Sequence, residues 1–198
     1  MRTLLCVVVA MALILPAVGC QSTTVSTVWR SPDPAPLQEF KKVVTIVLNT
    51  SPGERRAAED ELARDIRSAK GIPAYTIIPD EDLTDRAKVK AILEQNGIQG
   101  AVVLRLVAVD KSSTYYPPSY ANGYDFYSFS PYQLYYTNPG RTVTNETFSA
   151  EISIYSVTES RLLWAGSSST TDPENIQDLA RQVAGATREE LKRQGLIH

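Results

Sequence analysis

The sequence predicts an α/β fold: a single βαβαβ-ββα domain with a mixed sheet, helices packed on it and a long tyrosine-rich loop. Three observations predict it. The aliphatic run from Val43 to Leu48 has the pattern of a strand buried on both faces. An apolar stripe at helical spacing follows it, and this strand-then-helix unit recurs once before a third apolar strand. From Phe148 the pattern changes to strict alternation, which opens a closing hairpin and helix.

After the first strand, Ser51-Pro52-Gly53-Glu54 offers a capping Ser, a Pro at the first helical position and a Glu three residues past the cap. Ala58, Leu62, Ile66 and Ala69 then form one stripe, ended by Gly71 and Pro73. Ala74 to Ile78 reads as a second strand. Thr84 to Asn96 reads as a second helix, with Val89, Ile92 and Leu93 inward and Gly97 as its stop. Ala101 to Val109, interrupted by Arg105, is the central strand, and Arg105 is expected to reach the sheet edge and pair with a carboxylate, with binding of an anion or a partner's carboxylate as the alternative. Phe148, Ala150, Ile152 and Ile154 alternate with polar residues; Thr158-Glu159-Ser160 turns the chain, and Arg161 to Ser168 returns beside it. Thr171-Asp172-Pro173 is expected to cap a last helix whose stripe is Ile176, Leu179, Ala180, Val183, Ala184 and Leu191. Right-handed crossovers make the first three strands parallel, and the hairpin adds antiparallel ones.

The N-terminus carries Arg2, then an apolar run from Leu4 to Val18, then small residues before Cys20. At ~1.5 Å per residue, a helix of about fifteen residues falls short of a roughly 30 Å hydrocarbon core, which favours an export signal over residues 1–19. Ala17-Val18-Gly19-Cys20 resembles the lipobox of bacterial lipoproteins, although Leu is commoner where Ala17 stands. The resemblance implies cleavage before Cys20, lipidation of Cys20 and attachment to a membrane. Gln21, which is not Asp, implies the outer membrane, facing the periplasm. Cys6 leaves with the signal, so no disulfide is expected. Residues 20–41, rich in Ser, Thr and Pro, read as the lipidated cysteine and a flexible tether, and residues 42–198 as the domain.

Between Tyr115 and Tyr136 stand ten aromatic residues: Tyr115, Tyr116, Tyr120, Tyr124, Phe126, Tyr127, Phe129, Tyr132, Tyr135 and Tyr136. Pro117, Pro118, Gly123 and Pro131 argue against regular structure, so 115–140 is read as a loop. Tyrosine couples a stacking ring to a hydroxyl at small entropic cost. The segment is therefore a candidate partner-binding surface for an envelope protein or a second copy, with sugar rings as the alternative ligand. Rings folded back over the core, or an unordered insert, are the structural alternatives.

No catalytic, cofactor or metal site is expected. The one histidine is His198, which leaves no His-based triad or metal cluster, and the carboxylates read as caps and solvated helix faces. No phosphate-binding glycine pattern appears. A net charge of −2 gives no electrostatic case for nucleic acid.

With lipobox, tether, element order and the segment Ile154-Tyr155-Ser156-Val157-Thr158-Glu159-Ser160-Arg161-Leu162-Leu163-Trp164 together, the chain resembles uncharacterised bacterial envelope lipoproteins. In these a Tyr-x-x-x-Thr-Gly-Lys-Leu-Val-Trp pattern marks the last hairpin; here Glu159-Ser160-Arg161 stands where Thr-Gly-Lys sits. More remotely, the order is similar to the small α/β domains of the curli-secretion lipoprotein, the lipoprotein activator of penicillin-binding proteins and the N-terminal domain of the Tol translocation protein. These resemblances imply a non-enzymatic binding or assembly module of the envelope.

Overall fold

Strand formation starts earlier than the sequence suggests. The computed structural model describes residues 23–32, 39–117, 120–121, 136–137 and 140–197. The signal peptide, Cys20 and residues 33–38 of the expected tether lie outside these. Within the expected tether, however, Thr23–Arg30 forms strand β1, antiparallel to β8 (Arg161–Thr171), so the sheet includes residues that read as tether in the sequence. Composition hid this strand because polar bonds fix much of it. Thr23 Oγ1 lies 2.9 Å from Thr170 Oγ1 and donates to Gln182 Oε1, and Thr27 Oγ1 donates to Glu190 Oε1 at 2.9 Å.

Strand β2 (Lys42–Leu48) is buried on both faces, as its aliphatic run predicts. Ser51 then caps α1 (Pro52–Asp65) through the expected capping box: Glu54 N donates to Ser51 Oγ, and Ser51 N donates to Glu54 Oε2. The helix stops at Asp65, before Ile66 and Ala69 of the predicted stripe. The second strand, β3, is Lys70–Pro73 and not 74–78. Gly71, read as a helix stop, instead lies in β3, where a Cβ would stand 2.2 Å from the Ala63 carbonyl oxygen; only glycine lets the strand cross the helix backbone so closely. Pro73 is tolerated because β3 is an edge strand. A 3-10 turn, Ala74–Thr76, takes the place of the predicted strand, and a second turn, Asp80–Asp82, precedes α2 (Arg86–Gln95), capped by Asp85.

The third strand, β4 (Gly100–Tyr116), runs seventeen residues, far past the predicted Val109. Two-residue strands β5 (Tyr120–Ala121) and β6 (Tyr136–Thr137) pair with each other. Strand β7 (Arg141–Ser156) pairs with β4 along its whole length and starts seven residues before Phe148. The closing hairpin turns over 157–160 into β8, as expected. The last helix, α3 (Ile176–Arg193), is capped by Asn175 and not by Thr171-Asp172-Pro173. Asp172 is occupied elsewhere: its carboxylate accepts from Glu146 N and its own N–H donates to Glu146 O, which ties the end of β8 to β7.

The result is an α/β fold with a six-stranded mixed sheet in the order β1-β8-β7-β4-β2-β3. Strands β2, β3 and β4 are parallel and the rest antiparallel, as predicted. One face packs on α1 and α3 through Val47, Leu62, Leu104, Ile152, Trp164, Leu179 and Val183. Trp164 is 0% exposed, and its ring lies so close over Gly166 that a Cβ there would meet Cη2 at 2.3 Å. The other face packs on α2 through Val44, Ile78, Leu93, Ile98 and Ala101. Over β7, β8 and β1 that second face presents Ser149, Glu151, Ser167, Ser169, Thr24 and Ser26. Arg105, opposite Glu151 in the ladder, pairs with it at 3.6 Å on this exposed surface; the carboxylate partner is as expected, but it lies on the neighbouring interior strand and not at the sheet edge.

In the closing turn Ser160 adopts φ +52°. This is the left-handed region, where a side chain costs roughly 1–2 kcal/mol and glycine does not. The resemblance places Gly at this position. Ser160→Gly is expected to raise stability by ~0.5–1 kcal/mol, seen as an upward shift of the thermal midpoint with the fold unchanged by circular dichroism.

Candidate functional site

The sequence marked the aromatic cluster, and the structure shows what carries it. Strand β8 ends at Thr171, opposite Thr147, and β1 begins at Thr23, opposite Thr170. Strands β4 and β7 continue together past that level, from Lys111 opposite Glu146 to Tyr116 opposite Arg141. The ribbon is held by its own ladder and by cross-strand side-chain pairs. Lys111 Nζ sits 2.7 Å from Glu146 Oε1, and Ser113 Oγ lies 3.0 Å from Thr144 Oγ1. Thr23 is level with Val109, so the seven residues from Asp110 to Tyr116, at ~3.3 Å each, reach about 23 Å beyond the end of β1.

Tyr115 and Tyr116 are thus the last residues of a strand and not the start of a loop, because the pairing with β7 continues to Thr142 and Arg141 opposite them. They point to opposite faces of the arm and are 63% and 50% exposed. The Arg141 guanidinium stands 5.6 Å from the Tyr116 ring centroid, a cation–π contact that closes the arm. For Tyr120 and Tyr136 the structure places the backbone, in β5 and β6. Tyr124, Phe126, Tyr127, Phe129, Tyr132 and Tyr135 lie outside the described residues, as do Cys20 and His198.

Two features escaped the sequence reading. The first is a buried carboxylate. Glu59 on α1 is 0% exposed; Oε1 accepts from Val47 N at 3.2 Å and from Arg55 Nε at 3.1 Å, and Oε2 accepts from Tyr75 N at 2.8 Å. Strand β3 stops pairing with β2 at Thr45, opposite Pro73, so this carboxylate takes over as acceptor where the ladder ends. Arg55 also binds Asp80 at 3.0 Å. Burial pushes the Glu59 carboxyl above its ordinary range, against the two backbone hydrogen bonds and Arg55, which pull it down. Both oxygens are engaged by the chain's own donors, so the arrangement is a structural splice. Among the described residues, no group of three or more His, Cys, Asp or Glu could hold a metal ion.

The second feature is an apolar cleft of about 360 Å³ between the end of α1 and α3. Leu62, Ile66, Leu104, Ile154, Val183 and Leu191 line it, and the Asp65–Arg188 ion pair stands beside it. Its one sequence signal was Ile66, which continues the helical stripe past the helix end.

No family model matches the chain. No curated protein matches its sequence either. Solved structures that match include the PelC dodecamer of Paraburkholderia phytofirmans, at 11% identity and TM-score 0.43, and a point variant of it at 12% and 0.46, each covering 84% of this chain and 94% of the other. Lipoprotein GNA1162 of Neisseria meningitidis matches at 14% identity and TM-score 0.38, over 77% of this chain and 99% of its own. Among the described residues, no helix is long and apolar enough to cross a membrane.

Proposed function

We propose that the chain is a lipid-anchored envelope module that binds or assembles with another protein and performs no chemistry of its own. The observation that carries this reading is the arm. Two paired strands run six residues beyond β8, with little apolar burial to reward the extension; they end in Tyr115 and Tyr116 and are joined through residues 117–140, whose sequence holds eight more aromatic residues. Such an extension serves presentation better than stability, since each exposed strand pair adds little to the core. The lipobox-like Ala17-Val18-Gly19-Cys20 supports anchoring by acyl chains on Cys20, and Gln21 supports the periplasmic leaflet of an outer membrane. Near-neutral charge supports a protein partner or a second copy over nucleic acid. The ring-rich segment also suits stacking on peptidoglycan or polysaccharide sugars, which is the alternative reading.

A photo-crosslinking residue in place of Tyr124 tests it in living cells. A discrete protein adduct is expected, and its mass separates a self-contact from a foreign partner. Absence of any adduct, together with pelleting of the purified protein on bare cell-wall sacculi, would replace the assembly reading with the glycan one.

A further inference from the structure

The arm and the start of β1 lie at the same end of the sheet. Thr23 starts β1 opposite Thr170, Thr170 lies opposite Phe148, and Phe148 lies opposite Val109, so one line across four strands joins the N-terminus to the foot of the arm. Strand β1 runs antiparallel to β8, and β8 is antiparallel to β7 as is β4, so the N-terminal end of β1 faces the direction in which β4 extends. Cys20 is three residues before Thr23. At most ~3.3–3.6 Å per residue, this connection spans about 10 Å, whereas the arm reaches about 23 Å past the same line. A bilayer holding acyl chains on Cys20 is therefore closer to Thr23 than the arm is long.

We propose that the end of the β4–β7 arm, formed by Tyr115, Tyr116 and Arg141, rests on the headgroup surface of the membrane to which Cys20 is anchored. The inference rests on the reading of Cys20 as lipidated. The chemistry of the arm fixes the depth. Lys111, Ser112, Ser113, Thr114, Thr142 and Thr144 exclude it from the hydrocarbon, where their polar groups would be unsatisfied. Exposed tyrosines suit the interface, where the ring meets acyl carbons and the hydroxyl meets water and phosphate, and Arg141 adds a cation for phosphate oxygens. Because the arm is about twice as long as the connection to Cys20, the strands lie oblique to the membrane.

The mature chain holds no thiol besides Cys20, so single reporters are simple to place. Full lipidated protein carrying Thr114→Cys on the exposed arm, or Glu159→Cys in the turn at the opposite end of the sheet, is labelled with a fluorophore. It is then reconstituted in phosphatidylethanolamine–phosphatidylglycerol vesicles containing headgroup-spin-labelled lipid. Intact mass and vesicle flotation first establish lipidation. Quenching at least threefold greater at position 114 than at 159 is expected. Adding Tyr115→Ser, Tyr116→Ser and Arg141→Ser together should reduce it by at least half while flotation is unchanged. Equal or reversed quenching on protein that floats overturns the orientation and leaves lipidation standing. Quenching at 114 that needs native membranes puts a protein there and also overturns the proposal. A lipid-free mass and failure to float sink the lipidation reading, and this proposal with it.

Discussion

Glu59→Leu is expected to destabilise the domain by ~3–5 kcal/mol, a large part of the ~5–15 kcal/mol by which domains are typically stable. The substitution keeps an apolar volume in place but leaves the amides of Val47 and Tyr75 without acceptors and strips Arg55 of one of its two carboxylates. A buried unpaired amide costs ~1–3 kcal/mol, and the two amides and the guanidinium lose their partner together. The urea midpoint reads this directly, and an unchanged midpoint would mean that water or a neighbour replaces the carboxylate. The pH dependence gives a second reading. The Glu59 carboxyl is raised in the folded state, so the folded chain binds its proton more tightly than the unfolded chain does. Its contribution to stability is therefore greatest below the ordinary glutamate range and declines as pH rises through the raised value, after which it is flat. That part of the slope is expected to vanish in the variant.

Trp164→Ala is the second large effect, at ~3–5 kcal/mol. The side chain is fully buried at the meeting point of β7, β8 and α3, and its ring fills the space that Gly166 leaves open. Helix α3 lies across β8 and β1, so relaxation into the cavity would have to move a helix already tied to β1 by Thr27–Glu190 and Thr23–Gln182. Urea unfolding followed by far-ultraviolet circular dichroism should show the midpoint fall with an unchanged slope. The other tryptophan, Trp29, is 42% exposed. The blue-shifted component of fluorescence should thus disappear with Trp164 alone.

What was legible in the sequence was whatever burial writes into it. The aliphatic β2, the capping box at Ser51, the stripe of α3 and the parallel pairing of β2 with β4 were readable, because apolar spacing and cap chemistry are local, whereas β3 was expected four residues too late. The missed elements owe their order to partners distant in sequence. Strand β1 is held partly by threonine hydroxyls that find Thr170, Gln182 and Glu190 across the chain. Its β-branched run, Thr23-Thr24-Val25 with Thr27 and Val28, was a signal, but it was outweighed by the prolines that follow. The extension of β4 from Asp110 to Thr114 has no apolar residue and exists through pairing with β7. The candidate site was half visible on the same grounds. The tyrosines stood out by number, while their presentation on a paired arm required knowledge of β7. Glu59 looked like one more solvated helix carboxylate, because nothing local reveals that β3 stops short beside it.

The docking of β1 along β8 also sets how the fold meets a mechanical pull. Tension applied to the chain ahead of Thr23 acts along the strand axis, while the backbone bonds joining β1 to β8 lie across it. The whole overlap from Thr23 to Arg30 therefore bears the pull together, in shear, and cannot be peeled apart one bond at a time. A domain dragged through the envelope by its N-terminus would resist as a lap joint resists, through the length of its overlap.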